Sequence, residues 1–250
     1  MEGFVNAEVA DGICTVTFFH PASNSLPGSI LSKLAKTIHS AGLDLDTRVI
    51  VLKSSGERAF CAGASFDELL ALKNESEGLE FFSGFANVIN AIRTCPKFVI
   101  GRVQGKAVGG GVGLAAAVDH CFATKHASVK LSELAIGIGP FVVGPAIERK
   151  VGTSGFSQLS IDATSWKTAS WAAQYGLYAD VFDNTEEMDG AVNRLATQLA
   201  SSSPEAMQEL KKILWKDTDD WDDTLKALAQ ISGRLILGDF SKQAINSFKK

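Results

Sequence analysis

No stretch of this sequence is both long enough and apolar enough to cross a bilayer as a helix. Gly, Asp or Lys interrupts each hydrophobic run well before that length. The opening residues, MEGFVNAEVADG, lack a basic segment followed by an apolar one, so no secretory leader is read and the expected location is cytoplasmic. Cysteine is sparse. Cys14, Cys61, Cys95 and Cys121 lie far apart with no CxxC pair, which fits reduced core thiols. Histidine is sparse too. His20, His39, His120 and His126 show no HExxH or related spacing, so no metal is expected. His120, one residue past Asp119, is read as structural. A formal net charge of −4 argues against non-specific nucleic-acid binding and leaves room only for local basic patches.

Several catalytic signatures are missing as well. No Gly-Lys-Ser/Thr closes a Walker loop, and GxGxxG is matched poorly. There is no GxSxG, and no Ser–His–Asp order stands out. No second carboxylate presents itself for paired-acid glycosidase chemistry.

What is present is a chain of 250 residues, enough for one main domain and an appendage. At 46% hydrophobic and 21% charged its composition is ordinary for a soluble globular protein. Up to about residue 182 short strands and helices alternate, an α/β arrangement in which strand–strand–helix units recur loosely. Residues 4–19 read as a hairpin about Asp11-Gly12. A helix follows from Pro27 to about Gly42, then a strand over 49–52. Ser65 and Glu68 have capping-box spacing for a helix through Leu72. Phe81 to Ile92 reads as a helix, and Phe98 to Val103 as a strand buried on both faces. Residues 105–111 turn the chain into a small-residue helix over 112–118. Two further strands, 121–124 and 128–131, lead to Glu133. Pro140 is expected to open a helix that stops at Gly152. From Thr185 helices dominate, over 186–202, 204–215, 219–237 and 240–248. The acidic run 217–223, with Trp221 inside it, reads as a solvated helix start.

Two features invite chemistry. Gly109-Gly110-Gly111 reads either as a structural tight turn or as a place where a ligand carbonyl reaches backbone N–H groups. Ala64, just before a capped helix, offers a second such N–H, although that segment alone reads as an ordinary helix start. Glu133, in KLSELAIGIGP, is either a surface acid at a strand end or a buried acid whose raised pKa suits it to proton transfer.

Taken together, AFCAGASF (59–66), GKAVGGGVGLAAAVD (105–119) and LSELAIGIGP (131–140) resemble the enoyl-CoA hydratase/isomerase (crotonase) superfamily. HPASNSL (20–26), AAQYGL (172–177) and SPEAMQELKKIL (203–214) extend the resemblance along nearly the whole chain. It implies a crotonase-like spiral of ββα units over 1–190. It also implies a C-terminal helical region over 191–250 that assembles homotrimers or dimers of trimers. The ligand it implies is an acyl-CoA thioester, with CoA part of the substrate and no separate cofactor.

In that resemblance the Ala64 and Gly110 N–H groups would hold the thioester oxygen and Glu133 would carry the proton. Cys61, Ala62 and Gly63 would line the adenine end of CoA. Phe66, Gly109 and Gly113 would belong to the substrate site, and Phe141, Val142 and Val143 to the acyl pocket. Arg58 and Lys249 are the candidates for holding the CoA phosphates. Two departures stand out. The first of the family's two glutamates falls at Gly113, and the usual Asp after Gly-Ala is Ser65, with Asp67 two further on. The Glu133 motif is most like the methylglutaconyl-CoA hydratase-like branch. The implied activity is a lyase adding or removing water at C2–C3 of an unsaturated acyl-CoA. The alternatives are an isomerase, a decarboxylase, or a non-catalytic acyl-CoA-binding scaffold.

Overall fold

The computed structural model describes residues 2–248. Lys249 lies outside the described residues. Strands β1 (Phe4–Ala10) and β2 (Ile13–Phe19) pair antiparallel. Asp11 and Gly12 both take positive φ between them, which matches the right-handed twist of a tight hairpin. After α1 (Gly28–Leu43) the chain makes three turns of one pattern. The first comprises β3 (Val49–Ser54), β4 (Ala59–Cys61), α2 (Phe66–Ala71) and α3 (Glu75–Thr94). The second comprises β5 (Val99–Val103), β6 (Lys106–Val108) and α4 (Gly110–Ala117). The third comprises β7 (His120–Thr124), β8 (Val129–Lys130), a 3-10 turn (Leu134–Ile136) and α5 (Gly144–Ile161).

Each turn gives one strand to each of two sheets. Among the described residues the larger sheet runs β1-β2-β3-β5-β7 and ends on β9 (Asp180–Phe182), reached through α6 (Ala169–Gln174). The smaller sheet is β4-β6-β8, parallel throughout. The loosely recurring strand–strand–helix unit is thus a spiral of ββα turns. β5 is covered on both sides, as its apolar run predicts. Val99 and Val103 join the interior core, while Ile100 packs with Phe122, Met188 and Val192 under α7 (Thr185–Ala200).

The remaining helices are α8 (Pro204–Leu214), α9 (Trp221–Leu235) and α10 (Asp239–Phe248). A buried polar hub fastens α8 to the spiral. Asp119 accepts from Val99 N–H at 2.7 Å, Lys211 Nζ at 2.9 Å and Trp215 Nε1 at 2.8 Å. Lys211 Nζ spends its other donors on the carbonyls of Ile92 and Lys97. Both ends of this ion pair are almost wholly out of water, so each needs that full set of partners.

Four local expectations change. The helix placed at Pro140 begins at Gly144. Gly152 interrupts it with φ 69° and ψ 167°, and it resumes to Ile161. The turn over 105–111 contains β6, and the segment before Ala64 contains β4. Strands of three residues are too short to show a period. Glu68 does not close a capping box on Ser65. Ser65 Oγ does accept from Glu68 N–H at 3.4 Å, but the Glu68 carboxylate accepts from Gly28 N–H at 2.7 Å. In the acidic run the carboxylates are exposed, while Trp221 is buried edge-on against Trp215.

Candidate active site

The C-terminal ends of β4, β6 and β8 point at one place, so the loops that follow them meet there. Ala64 follows β4. Leu26 N–H donates to Gly63 O at 2.7 Å, and Leu26 O accepts from Ser65 N–H at 3.4 Å. In such a parallel bridge the residue between those two contacts turns its own N–H away from Leu26. Gly110 follows β6 as the first residue of α4. Its N–H has no acceptor inside the helix, because the first four amides of any helix lack one. Ala64 and Gly110 both line a cavity of about 50 Å³.

Glu133 follows β8 and stands at the head of the 3-10 turn, its carbonyl accepting from the N–H groups of Ile136 and Ile138. Although the residue as a whole is partly exposed, its Oε2 is buried and has no hydrogen-bond partner among the described residues. Burial pushes the carboxyl up to about 7, offset only in part by its own backbone N–H. Gly109 makes this placement possible. Its φ is 51°, and a β-carbon there would lie 2.8 Å from Glu133 Oε1. A side chain at 109 would therefore be strained and would displace the acid.

Around the carboxyl the wall is apolar: Phe66 and Leu69 from α2, Phe82 and Phe85 from α3, Ile136, Ile138, Phe141, Val142 and Val143 from the segment before α5. Ser132 and Ser232 supply the hydroxyls in it. Such a wall keeps the acid desolvated and strengthens any hydrogen bond made inside it. An oxygen held by both amides as negative charge developed would gain about 3 kcal/mol from each donor.

Of the residues singled out from sequence, Ala62, Gly63, Ala64, Phe66, Gly109, Gly110, Glu133, Phe141 and Val142 line this cavity together, and Val143 joins them. Cys61 and Gly113 do not line it. Cys61 is fully buried behind the loop, its Sγ accepting from Gly63 N–H at 3.4 Å, and burial raises the thiol to about 12. Gly113 is buried beneath Val143. Arg58 is exposed before β4. Sequence reading missed Val108, Leu69, Phe82 and Ser232. Phe82 and Phe85, three apart, carried a detectable signal for a shared helix face. Ser232 carried none, since α9 brings it in by tertiary packing. Among the described residues no cluster of His, Cys, Asp and Glu is arranged to hold a metal, and no helix is long and apolar enough to cross a membrane.

Comparison with known proteins bears on the family and the fold. The sequence pattern of the enoyl-CoA hydratase/isomerase family matches residues 8–248. The short-chain-enoyl-CoA hydratase of Clostridium acetobutylicum is 28% identical over 239 residues, covering 94% of this chain and 90% of that protein. The mitochondrial methylglutaconyl-CoA hydratase of Mus musculus is 30% identical over 192 residues, covering 75% of this chain and 60% of that protein. The crystal structure of enoyl-CoA hydratase from Bacillus halodurans superposes with a TM-score of 0.89 at 20% identity, covering 97% of this chain and 99% of that one. With the ββα spiral, the glycine-lined amides and the buried acid in place, and a family pattern spanning nearly its whole length, this chain belongs to the enoyl-CoA hydratase/isomerase family, within the crotonase superfamily.

Proposed function

We propose that this chain moves a proton at C2 of a short enoyl thioester of coenzyme A, with Glu133 as its single acid–base group. The thioester oxygen sits between the Ala64 and Gly110 N–H groups, which stabilise the enolate. One observation carries this reading: Glu133, whose buried Oε2 has no hydrogen-bond partner among the described residues, lines one apolar cavity with Ala64 and Gly110. An acid held near neutral pKa can take a proton and return it without a large penalty in either direction. Relatives named for short-chain-enoyl-CoA and for methylglutaconyl-CoA support a short or branched acyl group.

Chemistry with one acid fits a double-bond shift best. The Glu133 carboxylate removes a proton from C2 of a 3-enoyl thioester, and the electron pair delocalises into a dienolate held by the two amides. The carboxylic acid then returns the proton to C4, giving the 2-enoyl thioester. Val143 fills the space above Gly113, and among the described residues lining the cavity Glu133 is the acid, which favours a reaction that needs no nucleophilic water.

Hydration is the second reading, favoured by the hydratase names of the relatives. Glu133 would then take a proton from water as its oxygen adds to C3, and deliver a proton to C2. Decarboxylation of a carboxylated acyl-CoA uses the same amides without needing that proton path.

Incubation with 3-enoyl-CoA and 2-enoyl-CoA separately, with products weighed by mass spectrometry, separates these. Isomerisation leaves the mass unchanged, hydration adds one water, and decarboxylation loses carbon dioxide. Glu133→Gln should lower turnover roughly 100-fold or more while the fold persists. Retained turnover sinks the assigned role. Tight binding of CoA esters with no turnover across the panel would instead make the protein a scaffold. The apolar ridge on α8, where Ile213 is 64% exposed beside Leu210 and Leu214, supports a further proposal that copies of this chain associate, with the trimer that the family resemblance implies as the expected form. Sedimentation would test that.

A further inference from the structure

The Ala64 amide is aimed by a turn that precedes it by some forty residues, and that turn is built around one side chain. Between β2 and α1, Ser23 and Asn24 both take left-handed backbone, with φ of 54° and 57°. Two successive non-glycine residues adopt that conformation only where their surroundings over-determine it, and asparagine tolerates it better than most. Asn24 is itself 4% exposed, and each polar end of its amide is engaged. Its Oδ1 accepts from His20 N–H at 2.9 Å, while its own N–H donates to His20 O at 2.9 Å. Its Nδ2 donates to Ser55 O at 2.9 Å and to Ala59 O at 3.0 Å.

Those contacts tie the turn to the entry of β4. The turn backbone then runs alongside the exit. Ala62 N–H donates to Ser23 O at 3.2 Å, and Leu26 contacts both Gly63 O and Ser65 N–H. Residues 59–65 are thereby held on one edge by 23–26 and on the other by β6. Within this double clamp the Ala64 N–H faces away from Leu26, and Ala64 itself lines the cavity.

We propose that Asn24 is a positioning residue for the oxyanion donor at Ala64. The proposal rests on the acyl-CoA reading above. Asn24 touches no substrate. It fixes the left-handed turn whose carbonyls and amides set the direction of the 62–65 segment. A donor aimed at developing charge contributes mainly to the transition state, so its misplacement falls on kcat more than on KM.

The test uses Asn24→Gly, which accepts the left-handed backbone and removes the amide. The probe is butyryl-CoA, a short saturated thioester that neither isomerisation nor hydration consumes, and whose carbonyl stretch falls in frequency when its oxygen accepts strong hydrogen bonds. The wild-type protein should shift the carbonyl stretch of the bound probe to lower frequency. Asn24→Gly should bind it with similar affinity, lose most of that shift, and turn over substrate roughly 100-fold more slowly at little-changed KM. Where the glycine variant fails to fold, Asn24→Asp keeps the acceptor for His20 N–H and loses both Nδ2 donors, and the same losses are expected. A folded variant with an undiminished shift and wild-type kcat overturns the proposal. A wild-type protein that does not bind or shift the probe overturns the acyl-CoA reading itself, so the two failures are distinguishable.

Discussion

Val143 occupies the space that any side chain on Gly113 would need. A β-carbon built on Gly113 lies 2.4 Å from Val143 Cγ1, far inside contact distance. At the position where the family resemblance places a first glutamate, α4 and the segment before α5 therefore pack too closely to admit a side chain, and Glu133 is the acid among the described residues that line the cavity.

The closeness of this pair makes a direct stability test. Gly113→Ala should destabilise the fold by about 1–3 kcal/mol through overpacking. Val143→Ala in the same chain should recover much of that loss, although Val143→Ala alone should also cost stability by leaving a void. Urea unfolding of the two single variants and the double variant measures the coupling. Additive costs would mean the two residues do not compete for one volume.

The pH dependence follows from the acid. Glu133 must be ionised to take the first proton, and its carboxyl is raised to about 7 by burial. The rate of proton abstraction from C2 should climb with pH up to about 7 and then level off. A profile already flat from pH 5 upward would place the working base elsewhere.

The same raised carboxyl affects stability with a defined sign. Between its ordinary value of 4.5 and about 7 the folded chain binds a proton there that the unfolded chain has released. Stability should therefore fall as pH rises across that window, by on the order of 3 kcal/mol from this group. Glu133→Gln should remove that slope and be the more stable protein at pH 8. Thermal melts of both proteins from pH 5 to pH 8 check it.

The Asp119–Lys211 pair predicts a large loss from a small change. Lys211→Met leaves the Asp119 carboxylate buried with the Val99 and Trp215 donors but without its countercharge. The expected cost is about 3–5 kcal/mol, seen as a lower urea midpoint. Neutralising both ends, with Asp119→Asn added, should recover part of it. An unchanged midpoint for the single variant would show that α8 does not depend on the hub.

The crossing of α3 and α9 predicts a change at a distance. A β-carbon on Gly233 would lie 2.7 Å from the Gly78 backbone, so Gly233→Ala must push the helices apart. Ser232, next in sequence, lines the cavity and moves with α9. Lower stability is expected together with a raised KM for short thioesters. A stability loss with wild-type kinetics would separate the crossing from the site.

Much of this was legible in the sequence, for identifiable reasons. The Asp11-Gly12 hairpin and the doubly buried β5 were visible because turn chemistry and apolar runs are local. β4 and β6 were not, because three residues show no period, whereas β8 fell within the strand read over 128–131. Glu133, Ala64 and Gly110 could be singled out by residue type and by position at helix starts. Leu69, Phe82 and Ser232 could not be placed beside them, because α2, α3 and α9 reach the cavity by packing.

By itself, then, the sequence determined which backbone could come close to a ligand and which acid stood among apolar neighbours. Glycines at 109 to 111 and a lone Glu at 133 are facts of the chain alone. Tertiary structure decided what those residues can do. It buried Oε2 without a partner, raising the acid by desolvation. It turned the Ala64 N–H away from Leu26, on a residue that lines the same cavity as that acid. It also filled the space beside Gly113 with Val143. Burial, direction and excluded volume are relations between segments distant in sequence, and no local pattern encodes them.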